Sequence, residues 1–381
     1  METIYLDNSA TSFPKPPEVY DAIASMMKHG VNADRGGYTL ARETGKVVDK
    51  TRESLARLVG VNEPSNVVFT PSATIALNTV LFGLSFSYGD NIYLSPFEHN
   101  SVLRPLYRLR DFWNVNLRMM PVERSELVYN LDELNKEFKR NRPKLVVVNH
   151  GSNVCGLVAP LTEIAALARD YGAWVLVDAA QTLGTIPIDM LKQNVDFLVF
   201  AGHKDLLGPI GVGGLVINNS TNIEPFIFGG TGVESKLENM PPEYPHRLEA
   251  GSLNVSAIAG LLAGIDFVKH NIDIRERKQR LFASLLDLLG RYPEVKAFAS
   301  PNHQTRLPIV SCTVAGYTPQ EFATVLDRHF NIAVRAGLHC APKAHEFLGT
   351  APLGAVRFSI GAFNTERDIA TVGEALEQLF R

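Results

Sequence analysis

The stretch from residue 195 to residue 209 constrains the fold of this chain more than any other. It is a continuous apolar run that ends in the sequence Gly-His-Lys at 202–204 and then turns at a Gly-Pro pair. An apolar run bounded by turn residues is typical of a strand that is buried on both faces of a parallel sheet. The stretch therefore predicts a buried strand whose end delivers Lys204 into a cleft.

Short apolar runs alternate with segments of helical periodicity along the chain. Strands are predicted at 66–69, 92–94, 145–149, 174–177, 197–200 and 214–217, and helices at 18–29, 41–58, 74–83 and 161–171. This alternation predicts an α/β domain with a mostly parallel sheet. An irregular segment follows at 226–254. Beyond it, strands near 307–315, 332–335 and 355–359 and helices near 256–270, 319–329 and 366–380 predict a smaller α/β domain.

The composition excludes several classes of protein. A chain of 381 residues, 45% hydrophobic and 20% charged, is long enough for two domains and a large core. Its net charge is -3 and it has no basic run, so no nucleic acid partner is expected. The N-terminus lacks the features of a signal peptide and no segment has 18 uninterrupted apolar residues, which predicts a soluble cytoplasmic protein without membrane contact. Three scattered cysteines favour neither a disulfide framework nor a metal site.

A second apolar strand, at 174–178, ends in Asp178 and is followed by Gln181. An aspartate at a strand end is more often a cap, but ligands bind at the carboxyl ends of parallel strands, where Asp178 and Lys204 are expected to meet. A lysine amine forms a Schiff base with an aldehyde cofactor, and a carboxylate keeps the pyridine nitrogen of pyridoxal phosphate protonated. The pair therefore predicts that cofactor, with Gln181 donating to its phenolic oxygen.

Other strand ends carry side chains suited to the same cofactor. The segment 70–78 predicts a strand-to-helix turn at which Ala73 and Thr74 offer backbone N–H and hydroxyl groups to a phosphate. His99 follows the strand at 92–94 and is either a helix cap or a ring stacked on the pyridine. Asn153 follows the strand at 145–149 and is expected to reach the substrate or the cofactor edge.

Seven motifs together resemble a known family. YLDNSAT at 5–11, PSATIALN at 71–78, FEHNS at 97–101, VDAAQ at 177–181 and GHKDLLGP at 202–209 are similar to the class V aminotransferase fold. RAGLHCAP at 335–342 and RFSIGAFN at 357–364 resemble the cysteine desulfurase and selenocysteine lyase branch of that family. The motifs occur in the family's order and cover nearly the whole chain.

The resemblance implies a pyridoxal phosphate homodimer of fold type I, with a mostly parallel seven-stranded sheet in the large domain. The large cofactor domain is expected at 15–255, and the smaller α/β domain at 1–14 and 256–381. The irregular segment at 226–254 is expected at the dimer interface. There Ser252 would reach the phosphate of the neighbouring subunit. A sulfur-acceptor protein is a further expected partner.

The same resemblance assigns roles to individual residues. Lys204 is expected to form the Schiff base, Asp178 to pair with the pyridinium, Gln181 to contact the phenolate and His99 to stack on the ring. The phosphate is expected to contact Ala73, Thr74 and His203. Arg357, with Asn153 and the weaker candidate Arg35, is expected to hold the substrate carboxylate, since a guanidinium binds a carboxylate bidentately.

A lone cysteine is usually inert, but Cys340 lies in a predicted turn within the RAGLHC string and is expected to be a nucleophile. The implied activity is a cysteine desulfurase that converts L-cysteine to L-alanine and an enzyme persulfide. A selenocysteine lyase remains open, as does a non-catalytic scaffold in sulfur trafficking. Two departures from the family pattern bear on cofactor affinity. Ala201 replaces a Ser or Thr, and Asp205 follows the lysine where glycine is frequent.

Overall fold

The protein is described here from a computed structural model that covers residues 3–33, 36–218, 222–301 and 306–380. The elements of its first part are β1 (Ile4–Tyr5), α1 (Pro17–His29), α2 (Thr39–Leu58), β2 (Val67–Thr70), α3 (Ala73–Gly83), β3 (Asn91–Leu94), α4 (Asn100–Trp113), β4 (Asn116–Met119), β5 (Val122–Glu123), β6 (Val128–Tyr129), α5 (Leu131–Arg140), β7 (Pro143–Asn149), α6 (Leu161–Asp170), β8 (Trp174–Asp178), β9 (Phe197–Ala201) and β10 (Gly213–Ile217). Those of the second part are α7 (Val255–His270), α8 (Ile274–Leu289), β11 (Val295–Phe298), β12 (Ile309–Val314), α9 (Pro319–Phe330), β13 (Ile332–Ala333), β14 (Arg335–Gly337), α10 (Pro342–Leu348), β15 (Ala355–Ser359) and α11 (Glu366–Phe380).

A seven-stranded sheet forms the centre of the molecule, with the strand order β2-β10-β9-β8-β7-β3-β4. Strand β10 runs antiparallel to both of its neighbours, and the other adjacent strands pair in parallel. The prediction of a mostly parallel seven-stranded sheet is thus confirmed. Helices cover both faces: Leu55 of α2 and Ile164 of α6 lie in the core on one side, and Leu77 of α3 and Leu103 of α4 lie in the core on the other.

A second sheet, with the order β11-β12-β15-β14, is entirely antiparallel. Phe282 of α8, Phe322 of α9 and Leu376 of α11 share its core with Leu6 from the N-terminal segment. The prediction of a smaller α/β unit matches this arrangement. The proposed boundary near residue 255 stays a prediction, and helix α7 just beyond it packs against α1 and α2.

One predicted strand is wrong in detail. The run 332–335 is split into β13, which pairs in parallel with β1, and β14, which pairs with β15. Val334 separates the two short strands, so the chain passes from one sheet to another over a single residue. This pairing joins the N-terminal segment to the second sheet, and an isolated bridge between Asp7 and Ser359 extends the connection. The irregular structure predicted for 226–254 is confirmed over this segment.

In the part of the chain that the structure describes, no single helix combines the length and hydropathy needed to cross a bilayer. Helices α7 and α8 reach that length and hydropathy only together, and the chain bends by 78° at their junction.

Candidate active site

A cavity of about 200 Å³ lies at the carboxyl ends of the central strands. Asp178 is the last residue of β8, Lys204 follows β9 by three residues, and β8 and β9 are adjacent and parallel. The lining also includes every other predicted cofactor residue except Ser252: Ala73, Thr74, His99, Asn153, Gln181 and His203. Ala201 lines the cavity as well. The structure therefore brings together predicted cofactor residues that are up to 131 positions apart in the sequence (204 minus 73).

The turn that presents Lys204 is tightly built. The N–H of Gly208 donates to the carbonyl of Gly202 over 2.8 Å. A Cβ atom on Gly208 would lie 2.9 Å from that same oxygen, so glycine is required for this close approach. The carbonyl of Lys204 accepts from the N–H of Leu207 and from the hydroxyl of Ser12, each over 2.9 Å. The backbone of Lys204 is thus fixed while its side chain extends into the cavity.

The amine of Lys204 is shifted toward its neutral form. Burial lowers its pKa to about 8, because the charged ammonium loses solvation, and the carboxylate of Asp178 opposes this effect. Burial in turn raises the pKa of Asp178, against the stabilising N–H of Ala180 and the charge of Lys204. Oδ1 of Asp178 accepts from the N–H of Ala180 over 3.0 Å. An amine that loses its proton near neutral pH is suited to proton transfer.

A second buried carboxyl group lies near Asp178. Oε1 of Glu98 accepts from the N–H groups of Ser95 and Asn149, which ties the end of β3 to the end of β7. Burial, and next the charge of Asp178, raises the pKa of Glu98 well above its ordinary value. Burial and the neighbouring carboxylate thus both favour the protonated form of Glu98.

His99 serves both as a helix cap and as a wall of the cavity. Its Nδ1 accepts from the N–H of Ser101 over 3.1 Å at the start of α4, which places the ring proton on Nε2. Burial, with the charge of Lys204 next in importance, lowers the pKa of His99 to about 4. The position of His99 therefore allows both roles predicted from the sequence, the helix cap and the ring stacked on the pyridine. The ring is neutral, as is expected for stacking on an aromatic cofactor.

One end of the cavity has the features of an anion site. Ala73 and Thr74 occupy the first turn of α3, where backbone N–H groups have no partner within the helix. A Cβ atom on Gly213 would lie 2.9 Å from the nitrogen of Ala73, so a glycine in β10 leaves this helix start room to approach the sheet. Nδ1 of His203 is buried, and the described residues offer it no partner. These groups fit the phosphate of pyridoxal phosphate, although Ala201 contributes no hydroxyl.

Two amides that also line the cavity donate to the backbone. Nε2 of Gln181 donates to the carbonyl of Ser9 over 2.9 Å, and Nδ2 of Asn153 donates to the carbonyl of His339 over 2.8 Å. The Oδ1 atom of Asn153 is buried without a partner among the described residues. Both side chains are held rigidly. Asn153 also keeps one polar atom for a ligand.

Cys340 lies beyond His99, in a neighbouring cavity of about 440 Å³ whose wall also contains Thr74 and Ser101. Sγ of Cys340 is 3.3 Å from Nη2 of Arg335. The thiol is partly exposed, whereas Cys155 and Cys312 are buried. Burial raises the pKa of both of these other thiols, to about 12 for Cys312, so they stay protonated. Of the three cysteines, Cys340 alone combines access with a neighbouring cation, as a nucleophilic thiolate requires.

The loop that carries Cys340 is anchored by a chain of buried histidines. Nδ1 of His339 is 3.1 Å from Nε2 of His345, whose Nδ1 is 2.7 Å from the hydroxyl of Thr350. Burial lowers the pKa of His339 to about 2 and that of His345 to about 4, so both rings are neutral. The carbonyl of Cys340 also accepts from the N–H of Asn100 over 2.7 Å. These contacts hold the thiol beside the cavity although His339 and Cys340 both have positive φ angles.

Arg357 is fully buried, and one of its guanidinium nitrogens contacts the carboxylate of Asp7. Another donates to the carbonyl of Asn153 over 3.0 Å, while Nε is buried without a described partner. Burial lowers the pKa of Arg357, against the charge of Asp7. Arg335 is the register partner of Arg357 across β14 and β15, and Arg335 lines the cavity itself. The motif string contains Arg335, but only the strand pairing reveals its place beside Arg357.

One predicted cofactor residue does not line this cavity within one chain. Ser252 is exposed, and the described lining of the cavity does not include it. Its contact with the phosphate of the neighbouring subunit stays a prediction. Arg35 lies outside the described residues.

Comparisons with known proteins agree with this geometry. The profile of the aminotransferase class-V family matches residues 4–372. The chain belongs to the class V aminotransferase family. Members of this family are pyridoxal phosphate enzymes, so the predicted fold family, enzyme class and cofactor are confirmed.

Relatives within the class V aminotransferases extend over the whole chain. A protein of Pyrococcus abyssi named probable cysteine desulfurase is 33% identical over 100% of this chain and 95% of its own length. A protein of the same name from Methanothermobacter thermautotrophicus is 32% identical over 99% of this chain and 94% of its own length. The apo structure of a cysteine desulfurase from Thermococcus onnurineus matches with a TM-score of 0.91 and 31% identity. The match covers 99% of this chain and 94% of that one.

Proposed function

We propose that this class V aminotransferase is a cysteine desulfurase that converts L-cysteine to L-alanine and leaves a persulfide on Cys340. The observation that carries the proposal is the position of the Cys340 thiol. It lies 3.3 Å from a nitrogen of Arg335, which also lines the cavity of Lys204 and Asp178. A transaminase or a racemase has no use for a partly exposed thiol at this place. The names of the relatives support the same activity.

The residues of the cavity fit the cofactor at both of its ends. Asp178 would hold the pyridine nitrogen, and the start of α3 with His203 would hold the phosphate. When bound to Lys204, pyridoxal phosphate supplies a ring that accepts electrons from the Cα atom of the substrate. His99 would cover the ring, and Gln181 would approach its oxygen substituent.

Arg335 and Arg357 together would bind the carboxylate of the amino acid substrate. Arg335 lines the cavity, and Arg357 lies opposite it in the strand pairing and donates to the backbone carbonyl of Asn153. Oδ1 of Asn153 is buried without a described partner. Two adjacent guanidinium groups in a low-dielectric site favour a carboxylate over a neutral group. Arg35 remains a proposed additional contact. Lys204, with a pKa of about 8, would then remove the proton from Cα as a neutral amine.

Cys340 would act after this proton transfer. Its thiolate attacks the sulfur of the substrate, a new S–S bond forms, and the Cβ–S bond breaks with its electron pair left on carbon. Protonation of that carbon gives the methyl group of alanine, so the atoms and electrons balance without an external oxidant. Nη2 of Arg335, 3.3 Å from Sγ of Cys340, would donate to this sulfur before the attack.

The proposed assembly is a homodimer in which the segment 226–254 forms the interface and Ser252 of each chain completes the phosphate site of the other. The exposed apolar side chains of Phe226, Ile227 and Phe228 in this segment are suited to an interface. A sulfur-acceptor protein would receive the persulfide from the partly exposed Cys340.

The substrate is tested by steady-state assays with L-cysteine and L-selenocysteine, each with and without an added thiol, in which alanine is measured. We expect alanine from cysteine at a rate that rises when a thiol removes the persulfide. Alanine from selenocysteine alone would instead identify a selenocysteine lyase. Alanine from neither substrate would contradict both activities and favour a scaffold.

Ala201→Ser is expected to tighten the binding of pyridoxal phosphate. Ala201 lines the cavity at the end of β9, and a serine there adds a hydroxyl to the phosphate end. A hydrogen bond to a charged group contributes about 1.5 kcal/mol or more, which corresponds to a dissociation constant about tenfold lower. Ala201→Cys is the matched control, because it has the same shape but donates only weakly. Equal dissociation constants for Ser and Ala would refute the prediction.

A further inference from the structure

Asp205, the residue after Lys204, uses both of its carboxylate oxygens in contacts with other segments. Oδ1 lies 2.8 Å from Nζ of Lys278 on α8, and Oδ2 accepts from the hydroxyl of Thr185 over 2.5 Å. Thr185 belongs to the loop after β8 that also carries Gln181. One side chain therefore connects the turn of Lys204 to the neighbouring strand's loop and to a helix that is remote in sequence.

Lys278 is the more buried partner of this ion pair. Its side chain is only 5% exposed, against 21% for Asp205. A buried ammonium group is strongly disfavoured unless an opposite charge compensates it. The helix that carries Lys278 is itself fixed, because Leu281 and Phe282 pack into the core of the second sheet. The ion pair thus ties the turn of Lys204 to the rigid second sheet.

The turn is held on its other side by the N-terminal segment. Nζ of Lys15 donates to the carbonyl of His203 over 2.8 Å, and the hydroxyl of Ser12 donates to the carbonyl of Lys204 over 2.9 Å. On the side of Asp205 the packing is tight, since a Cβ atom on Gly184 would lie 2.6 Å from the carbonyl of Asp205. Gly184 has a φ of +97°, which favours glycine at this position.

We propose that Asp205 and Lys278 are positioning residues that act on Lys204 as a pair, by balancing the charge behind its amine. This proposal rests on the proposed role of Lys204 as the residue that binds the cofactor. Neither residue lines the cavity that contains Lys204. Their effect on the reaction would therefore pass through Lys204.

The charges around the pair define the expected electrostatic effect. Lys15, Lys204 and Lys278 face Asp205, and Arg275 lines a cavity of about 220 Å³ beside it. Asp205 therefore stabilises a positive charge on Lys204. The ammonium group of Lys278, 2.8 Å from Oδ1 of Asp205, is expected to oppose this stabilisation. Removal of one partner leaves the charge of the other uncompensated. The two single substitutions should therefore shift the midpoint of protonation of the Lys204 nitrogen in opposite directions.

The remaining charges that act on Lys204 do not belong to the pair. Asp178 favours the charged form, whereas Arg335 and Arg357 disfavour it. These groups stay in place when Asp205 or Lys278 is changed. Midpoint shifts of opposite sign in the two single variants would therefore arise from the ion pair of Asp205 and Lys278.

The test is a pH titration of the visible absorption of the full-length holoenzyme, which reports protonation of the nitrogen of Lys204 when the cofactor is bound. Lys278→Met should raise the midpoint by about 0.5 unit, and Asp205→Asn should lower it by about 0.5 unit. The double variant Asp205→Asn/Lys278→Met should titrate as the wild type. Lys192→Met removes a lysine from an exposed ion pair and should change nothing.

The outcomes separate this charge effect from simple loss of structure. A loosened turn would admit water in both single variants and move both midpoints in the same direction, which would overturn the proposal, as would unchanged midpoints. If Asp205→Asn fails to fold because Lys278 is left without a counter-charge, Lys278→Met and the double variant still decide, since only the first should shift. A wild-type protein without a Lys204-dependent visible band would instead refute the proposed function.

Discussion

Replacing Lys204 by alanine is expected to abolish the visible absorption band of the bound cofactor and to lower alanine production from cysteine by about 1000-fold or more. Lys204 is buried in the cavity with Asp178, and burial brings its pKa down to about 8. In the proposed reaction it combines the covalent attachment of the cofactor with proton transfer at Cα, so both would be lost together. The measurements are an absorption spectrum after addition of pyridoxal phosphate and an assay of alanine.

Lys192→Ala is the matched control for this substitution. Lys192 forms an exposed ion pair with Asp189 and should leave both the spectrum and the rate unchanged. A visible band of wild-type intensity in Lys204→Ala would mean that another amine binds the cofactor. Lys15 would then be the next residue to replace, because burial lowers its pKa to about 8 as well.

Replacing Cys340 by alanine is expected to reduce alanine release from cysteine by about 100-fold or more while the cofactor spectrum stays intact. The thiol is the group that breaks the bond between carbon and sulfur in the proposed reaction, and it does not line the cavity of Lys204. Cys340→Ala therefore removes the nucleophile without changing a residue that lines the cofactor cavity. Single-turnover assays with cysteine measure the chemical step directly.

Cys312→Ala serves as the control because Cys312 is buried in the core of the second sheet, away from the cavity. It should retain alanine release within about twofold, since a small buried truncation affects stability more than chemistry. Undiminished turnover in Cys340→Ala would exclude Cys340 as the nucleophile. Equal losses in both cysteine variants would point to a general loss of structure.

The central sheet and the meeting of Lys204 with Asp178 were predictable because both depend on local patterns. Apolar runs mark the buried strands, and the carboxyl ends of adjacent parallel strands must lie together. Ala73, His99 and Asn153 follow strands in the same way, and each lines the cavity.

Other parts of the site depend on pairing between remote segments. Arg335 reaches the cavity because β14 pairs with β15 in a register that places it beside Arg357. Asp205 meets Lys278 across 73 positions, and the charge pattern of α8 does not mark one lysine as buried. The split between β13 and β14 also follows from a partner, since β1 pairs with the first of them. Local propensity cannot reveal contacts that only tertiary pairing creates.

The most direct measurement is the mass of the intact protein after a single turnover with L-cysteine, followed by mapping of the modified peptide. Transfer of sulfur to Cys340 predicts a gain of one sulfur atom, located on the peptide that contains Cys340 and removed by a reducing thiol. The Cys340→Ala protein should show no gain. Alanine formation without added sulfur on the wild-type protein, or added sulfur located on Cys155 or Cys312, would contradict the proposed mechanism.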